Sequence, residues 1–194
     1  MLLAITASLV SVPTQATTNN GAPWSPALLA WSECGDKLAV GKPIDLSQVK
    51  ATMFLLGTES VDTSPEFLTF ATSVIAAESG FNRHAVSPSG AVGLMQITLI
   101  GAKEAAIQCR LPYARGVSDE TLSARLMDSR ANVKYGTCLL KYYLDSVEGN
   151  RTLALVLYNG GYGQLTRLIN TGTLSKETSE YVLRVNSYLG RCLQ

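Results

Sequence analysis

From Phe67 to Ala77 the chain carries no ionisable side chain, and the residue that closes this run is a carboxylate, Glu78, followed by Ser79 and Gly80. Ser64, Pro65 and Glu66 ahead of it form a helix start: a hydroxyl cap, a proline at the first helical position and an acid in the first turn. The predicted helix through Phe67, Leu68, Phe70, Ala71, Val74 and Ile75 is apolar on most of its faces, so it belongs at the centre of a domain. Glu78 and Gly80 mark its C-terminal end. There the carboxyl meets both apolar surface and the negative end of the helix dipole. Both disfavour its ionised form, and a carboxyl that keeps its proton near neutral pH is a general acid.

A chain of 194 residues, 46% hydrophobic and 16% charged, buries a core of ordinary size and fits one compact domain. The formal charge of +1, with basic residues scattered rather than clustered, argues against nucleic acid or an anionic membrane as partner and favours a neutral, sugar-like substrate. The four cysteines, Cys34, Cys109, Cys138 and Cys192, contain no C-x-x-C pair and accompany a single histidine, His84, so no metal site is expected. In an exported chain they form disulfides; in a cytosolic one they are buried thiols. Three connectivities exist. The preferred one joins Cys34 to Cys192, tying the two ends of the domain, and Cys109 to Cys138, closing a central loop.

Residues 1–16, MLLAITASLVSVPTQA, read as a secretory signal cleaved after Ala16, although no Lys or Arg precedes the apolar run; an uncleaved anchor or a buried helix are the alternatives. No other stretch has the length of a membrane-spanning helix, so no stable span is expected after cleavage. Residues 17–25 read as a linker, 26–63 as a helical brace and 64–194 as the catalytic domain. Helical spacing is predicted over Leu28–Val40, Ser47–Leu56, Ala91–Ile97, Gly101–Cys109, Asp128–Val147, Thr152–Tyr158, Tyr162–Asn170 and Glu177–Leu189, with Arg110–Thr121 as a polar stretch. No alternating strand run and no repeat is visible, so the fold class is all-α. Trp31 is assigned to packing rather than sugar contact.

Three separated blocks, ESGFN with SPSGAVGLMQI, then LYNGGYG, then KETSEYVLRV, resemble the soluble-lytic-transglycosylase-type peptidoglycan lyases, a family with a lysozyme-like, two-lobed fold. The resemblance covers about Ser64 to Leu189. It implies that Glu78 is the sole catalytic carboxyl, acting as acid and then as base to leave a 1,6-anhydro sugar on peptidoglycan glycan strands, with no cofactor. It also implies substrate-binding roles at six further positions and a hydroxyl at a seventh. Ser87 matches a serine near the muramoyl acetamido group or the glutamate, or else is simply a turn residue before Pro88; Met95 and Gln96 match a groove-lining pair, the first an apolar floor and the second an amide for sugar groups. Tyr158, with a hydroxyl to orient Glu78, and Asn159 match the second block, and Glu177 and Tyr181 the third, though an acid in a helix's first turn needs no further role.

Two departures adjoin these positions. The family commonly has Ala-Tyr-Asn-Ala-Gly where this chain reads Leu157-Tyr158-Asn159-Gly160-Gly161, and a proline soon after the Gln-Ile pair where this chain has Thr98-Leu99. His84 is read as a loop residue, not a general base. The resemblance implies an exported enzyme, periplasmic or associated with the cell envelope, and the compact length suggests one that opens the wall for a secretion, conjugation or phage apparatus. The alternatives are a hydrolytic goose-type lysozyme-like enzyme and a catalytically silent glycan-binding module.

Overall fold

The structure, a computed structural model, describes residues 26–40, 44–111 and 117–194. The segments read as signal and linker lie outside the described residues. Eight helices make up the described fold: α1 (Pro26–Ala39), α2 (Leu46–Glu59), α3 (Pro65–Glu78), α4 (Leu99–Gln108), α5 (Asp119–Leu126), α6 (Ser129–Ser146), α7 (Arg151–Thr171) and α8 (Lys176–Cys192). The fold is all-α, as expected; pairing between extended segments is confined to isolated bridges of Val92 with Val86 and with Ile97.

Short polar side chains start seven of these helices by accepting a hydrogen bond from a first-turn N–H: Asp45, Ser64, Thr98, Ser118, Asp128, Asn150 and Ser175. α3 is the axis of the molecule. Its residues from Phe67 to Ala76 are all buried, and it packs most extensively against α8 and α1. This α1–α3–α8 layer is fastened by the Cys34–Cys192 disulfide, by Arg191 donating to the Lys37 carbonyl at 2.6 Å and by the Trp31 indole donating to Thr72 at 3.0 Å. Trp31 is therefore a packing residue, 5% exposed. α4 and α6 form the other side, joined by the Cys109–Cys138 disulfide, and α7 lies between α6 and α8. Both disulfides follow the preferred pairing.

Two local expectations change. Residues 91–97 are not a helix but a bridge, a run of turn and a second bridge. Gly93 (φ 75°) and Gln96 (φ 47°) both adopt left-handed backbone, which breaks helical hydrogen bonding inside the segment. The stretch read as polar loop ends in α5, whose start carries ordinary signals: Ser118 as cap, then Asp119 and Glu120 in the first turn. The third and second blocks of sequence fall on α8 and on α7. In α7 the expected stop after Tyr158 appears as a break at Gly161 (φ 64°, ψ −170°), beyond which helix resumes from Tyr162.

Candidate active site

Glu78 is the last residue of α3, and its neighbour Ser79 ends the helix by donating its N–H to Ile75. Desolvation by the surrounding core raises the Glu78 carboxyl from 4.5 to about 7, against a smaller downward pull from the Tyr181 hydroxyl and the Arg184 guanidinium. A carboxyl held there keeps its proton far above the pH at which an exposed glutamate loses it. Among the described residues no carboxylate acts on Glu78; the groups that do, or on which it acts, are two phenols and a cation.

Tyr181, on α8, is 2% exposed, and its buried hydroxyl faces the Glu78 carboxyl. The hydroxyl favours the Glu78 carboxylate by hydrogen bonding, and burial together with the Glu78 charge holds the Tyr181 phenol well above the usual tyrosine range. Arg184, one turn further along α8, holds its guanidinium 5.6 Å from the centre of the Tyr181 ring. Neither this arginine nor its influence on Glu78 was anticipated, although its spacing of three from Tyr181 within KETSEYVLRV puts both on one helix face. Tyr158, on α7, is the second phenol near Glu78. Burial and the Glu78 charge hold its phenol well above the usual tyrosine range, so it remains a proton donor. That proton goes to the Met95 carbonyl at 2.9 Å, rather than to Glu78 as expected.

The segment 79–98 forms the wall beside Glu78. Ser87 Oγ accepts from the Ala91 N–H at 3.0 Å and pairs with Ser89 Oγ at 2.9 Å, so it builds the turn. Gln96 donates its amide to the carbonyls of Ala85 at 3.1 Å and Gly93 at 2.9 Å, which leaves its amide oxygen as the half open to a ligand. Met95 departs from the expected groove floor: its side chain is fully buried, with its sulfur and Cβ where a methyl on Gly136 of α6 would have to sit, and its backbone faces Tyr158.

The whole wall hangs on a buried residue that the sequence did not single out, Asn132 of α6. Its amide donates to the carbonyls of Val92 at 2.8 Å and Leu126 at 3.0 Å, and its oxygen accepts from the Met95 N–H at 2.9 Å. A Cβ on Gly93 would lie 2.4 Å from that amide nitrogen, so glycine is required there for space as well as for φ.

Asn159 is half-buried just ahead of the α7 break, and its side chain makes no hydrogen bond among the described residues. Glu177 is exposed in the first turn of α8, one turn before Tyr181 and on the same face. Both departures from the family pattern have local causes. A methyl at position 160 would meet the Gln164 side chain at 2.3 Å and Thr178 Oγ1 at 3.0 Å, and Gln164 is held in place by the Ser175 N–H at 2.9 Å. Thr98 caps α4 by accepting from the Gly101 N–H at 3.1 Å, supplying by hydrogen bonding a helix start that proline supplies by fixing φ. His84 is exposed in the loop. Among the described residues, no group of His, Cys, Asp and Glu is arranged to hold a metal, and no helix is long and apolar enough to cross a membrane.

Comparison with known proteins places this geometry. Over 96 residues the chain is 31% identical to the soluble lytic murein transglycosylase of Salmonella typhimurium, half of this chain against 14% of the relative. Over 105 residues it is 30% identical to the membrane-bound lytic murein transglycosylase C of Shigella sonnei, half of this chain against 28% of the relative. The chain therefore spans well under a third of either. Its fold is similar to that of the 70 kDa soluble lytic transglycosylase of Escherichia coli, with a TM-score of 0.58 at 24% identity over 86% of this chain and 29% of that one. It is equally similar to an inactive mutant of the lytic transglycosylase Slt of Pseudomonas aeruginosa, with a TM-score of 0.58 at 24% identity over 78% and 24% of the two chains. A family model, the transglycosylase SLT domain, matches residues 63–180, more than half of the chain and all the site residues but Tyr181 and Arg184, and the chain belongs to that family.

Proposed function

We propose that the chain is a peptidoglycan lytic transglycosylase, which cleaves the β-1,4 bond between N-acetylmuramic acid and N-acetylglucosamine without water and leaves a 1,6-anhydromuramoyl end. The observation that carries this reading is Glu78 at the end of the buried helix α3, where desolvation raises its carboxyl to about 7, with phenols and a cation near it and, among the described residues, no carboxylate acting on it. A glycosidase that works with paired acids needs its second carboxylate as nucleophile or as base for water. One carboxyl that starts protonated is enough when the substrate supplies the nucleophile.

In this mechanism Glu78 gives its proton to the glycosidic oxygen as the bond from the muramoyl anomeric carbon to that oxygen breaks, and the N-acetylglucosamine leaves as an alcohol. The Glu78 carboxylate so formed faces the oxocarbenium-like carbon. It then takes the proton of the muramoyl C6 hydroxyl, whose oxygen bonds to the anomeric carbon and closes the anhydro ring. Glu78 ends protonated, ready for the next bond. Arg184 and Tyr181 favour the carboxylate between the two proton transfers, against the desolvation that favours the acid.

The Gln96 amide oxygen, the Asn159 side chain and the exposed Glu177 supply acceptors and donors for sugar hydroxyls and acetamido groups. Met95 contributes through its carbonyl, which fixes the Tyr158 hydroxyl, and Ser87 through the turn it holds. The two disulfides support export to an oxidising compartment such as the periplasm or cell envelope, where the glycan strands are. Digestion of intact sacculi, with products weighed by mass spectrometry, tests the reading. Anhydromuramoyl ends are expected; reducing muramic ends alone would establish a hydrolase, and no products a silent binding module.

A further inference from the structure

Where α6, α4 and the second half of α7 meet lies a cluster that the proposed chemistry does not use. Tyr143 of α6 is 4% exposed and donates its hydroxyl to Glu104 Oε2 of α4 at 2.6 Å. Its ring contacts Tyr142 at 5.6 Å between centroids, tilted by 46°, and Tyr162 at 6.1 Å, edge to face at 84°. Tyr143 is also near enough to Tyr158 to help raise its phenol, as Glu78 does. Tyr158 is thus within reach of both the candidate acid and this cluster.

The three tyrosines differ in exposure. Tyr143 is core, whereas Tyr162 is 50% exposed. Packing accounts for the first and not for the second, because half of the Tyr162 ring contributes nothing to burial. The ring is nonetheless oriented. It follows the backbone break at Gly161, four residues after Tyr158, and rests on the edge of Tyr143, itself held by the hydrogen bond to Glu104. The second Glu104 oxygen has no hydrogen bond among the described residues. An aromatic face held at a set angle beside an open carboxylate oxygen suits a pyranose: the ring takes the sugar's C–H face, and the carboxylate accepts from its hydroxyls.

We propose that Tyr162 and Glu104, buttressed by Tyr143, form a subsite for a further neutral sugar of the glycan strand, next to the sugar held over Glu78. The subsite rests on the glycan-cleaving reading and deepens it. Through it the enzyme measures strand length, so longer strands bind more tightly than the sugars at the scissile bond alone.

The test measures binding of N-acetylglucosamine oligomers of two and of four sugars by calorimetry, with Glu78→Gln as the parent so that nothing is turned over. The parent should bind the tetramer more tightly than the dimer. Tyr162→Ala should lower tetramer affinity by about tenfold and leave the dimer unchanged, and Tyr162→Phe, which keeps the ring, should stay within about twofold of the parent. Glu104→Gln should cost the tetramer about threefold. An unchanged tetramer affinity in Tyr162→Ala overturns the subsite, as does an equal loss for both oligomers or a loss in Tyr162→Phe as large as in the alanine variant. A parent that binds neither oligomer overturns the glycan reading itself, and the subsite with it.

Discussion

The two parts of the site are held by different forces. Glu78 and Tyr181 stand on α3 and α8, regular helices in a layer of apolar burial closed by the Cys34–Cys192 disulfide. The wall beside them, residues 79–98, is held by turns, left-handed residues and two hydrogen bonds to one buried asparagine, which a third bond ties to Leu126. Apolar burial is non-directional and grows with area, so a helix layer distributes the work over many side chains. Hydrogen bonds are directional, and leaving a buried partner unpaired is costly, so the wall depends on few atoms. Glu78 is therefore placed robustly and the wall beside it by few contacts.

The largest expected effect falls where the two parts meet. Glu78→Gln should lower activity by on the order of 10³-fold or more, measured as anhydromuramoyl product from sacculi, while the fold is retained. The same raised carboxyl sets a pH dependence of stability. Below 4.5 both folded and unfolded chains hold the proton and the group costs nothing; as pH rises to about 7 the unfolded chain releases it first, and stability falls. Thermal melting should then show Glu78→Gln more stable than the wild type by about 2–3 kcal/mol at pH 8 and equal to it at pH 4. Activity of the wild type should fall as pH rises through about 7, since the cycle begins with the protonated acid.

The next two variants separate frame from wall. Replacing Cys34 and Cys192 together by serine opens a crosslink spanning 158 residues and should cost about 4 kcal/mol in denaturant unfolding, with kcat unchanged where the variant is still folded. Asn132→Ala should cost about 3 kcal/mol, since it strips partners from Val92, Leu126 and Met95 at once. It should also lower kcat/KM in fully folded protein by about tenfold, because the wall shifts. Equal activity in the two folded variants would erase the distinction between frame and wall. The smallest effect belongs to Arg184→Leu. Removing a cation that favours the Glu78 carboxylate should move the alkaline limb of the pH–rate profile upward, and a downward move would reverse the sign assigned to Arg184.

Much of the frame is legible along the chain because helix signals are local. Ser64, Pro65 and the apolar run to Ala77 state where α3 starts and where it delivers Glu78, and Ser118 with Asp119 and Glu120 carry the same information for α5, though its polar surroundings mask the helix. The wall was misread for the opposite reason. Residues 91–97 have helical apolar spacing, and what prevents the helix is a left-handed Gly93 packed against Asn132, thirty-nine positions on.

The sequence by itself determined an all-α chain with an acid at the end of its most apolar helix, since capping, periodicity and desolvation act within a few residues. It left open how four cysteines pair, which acceptor the Tyr158 proton finds and whether Met95 faces the groove. Tertiary structure alone decided that Cys34 meets Cys192, that Tyr158 donates to Met95 and that the Met95 side chain turns into the core. Each depends on groups far apart in the chain, and a buried polar group takes whichever partner the packing brings within about 3 Å.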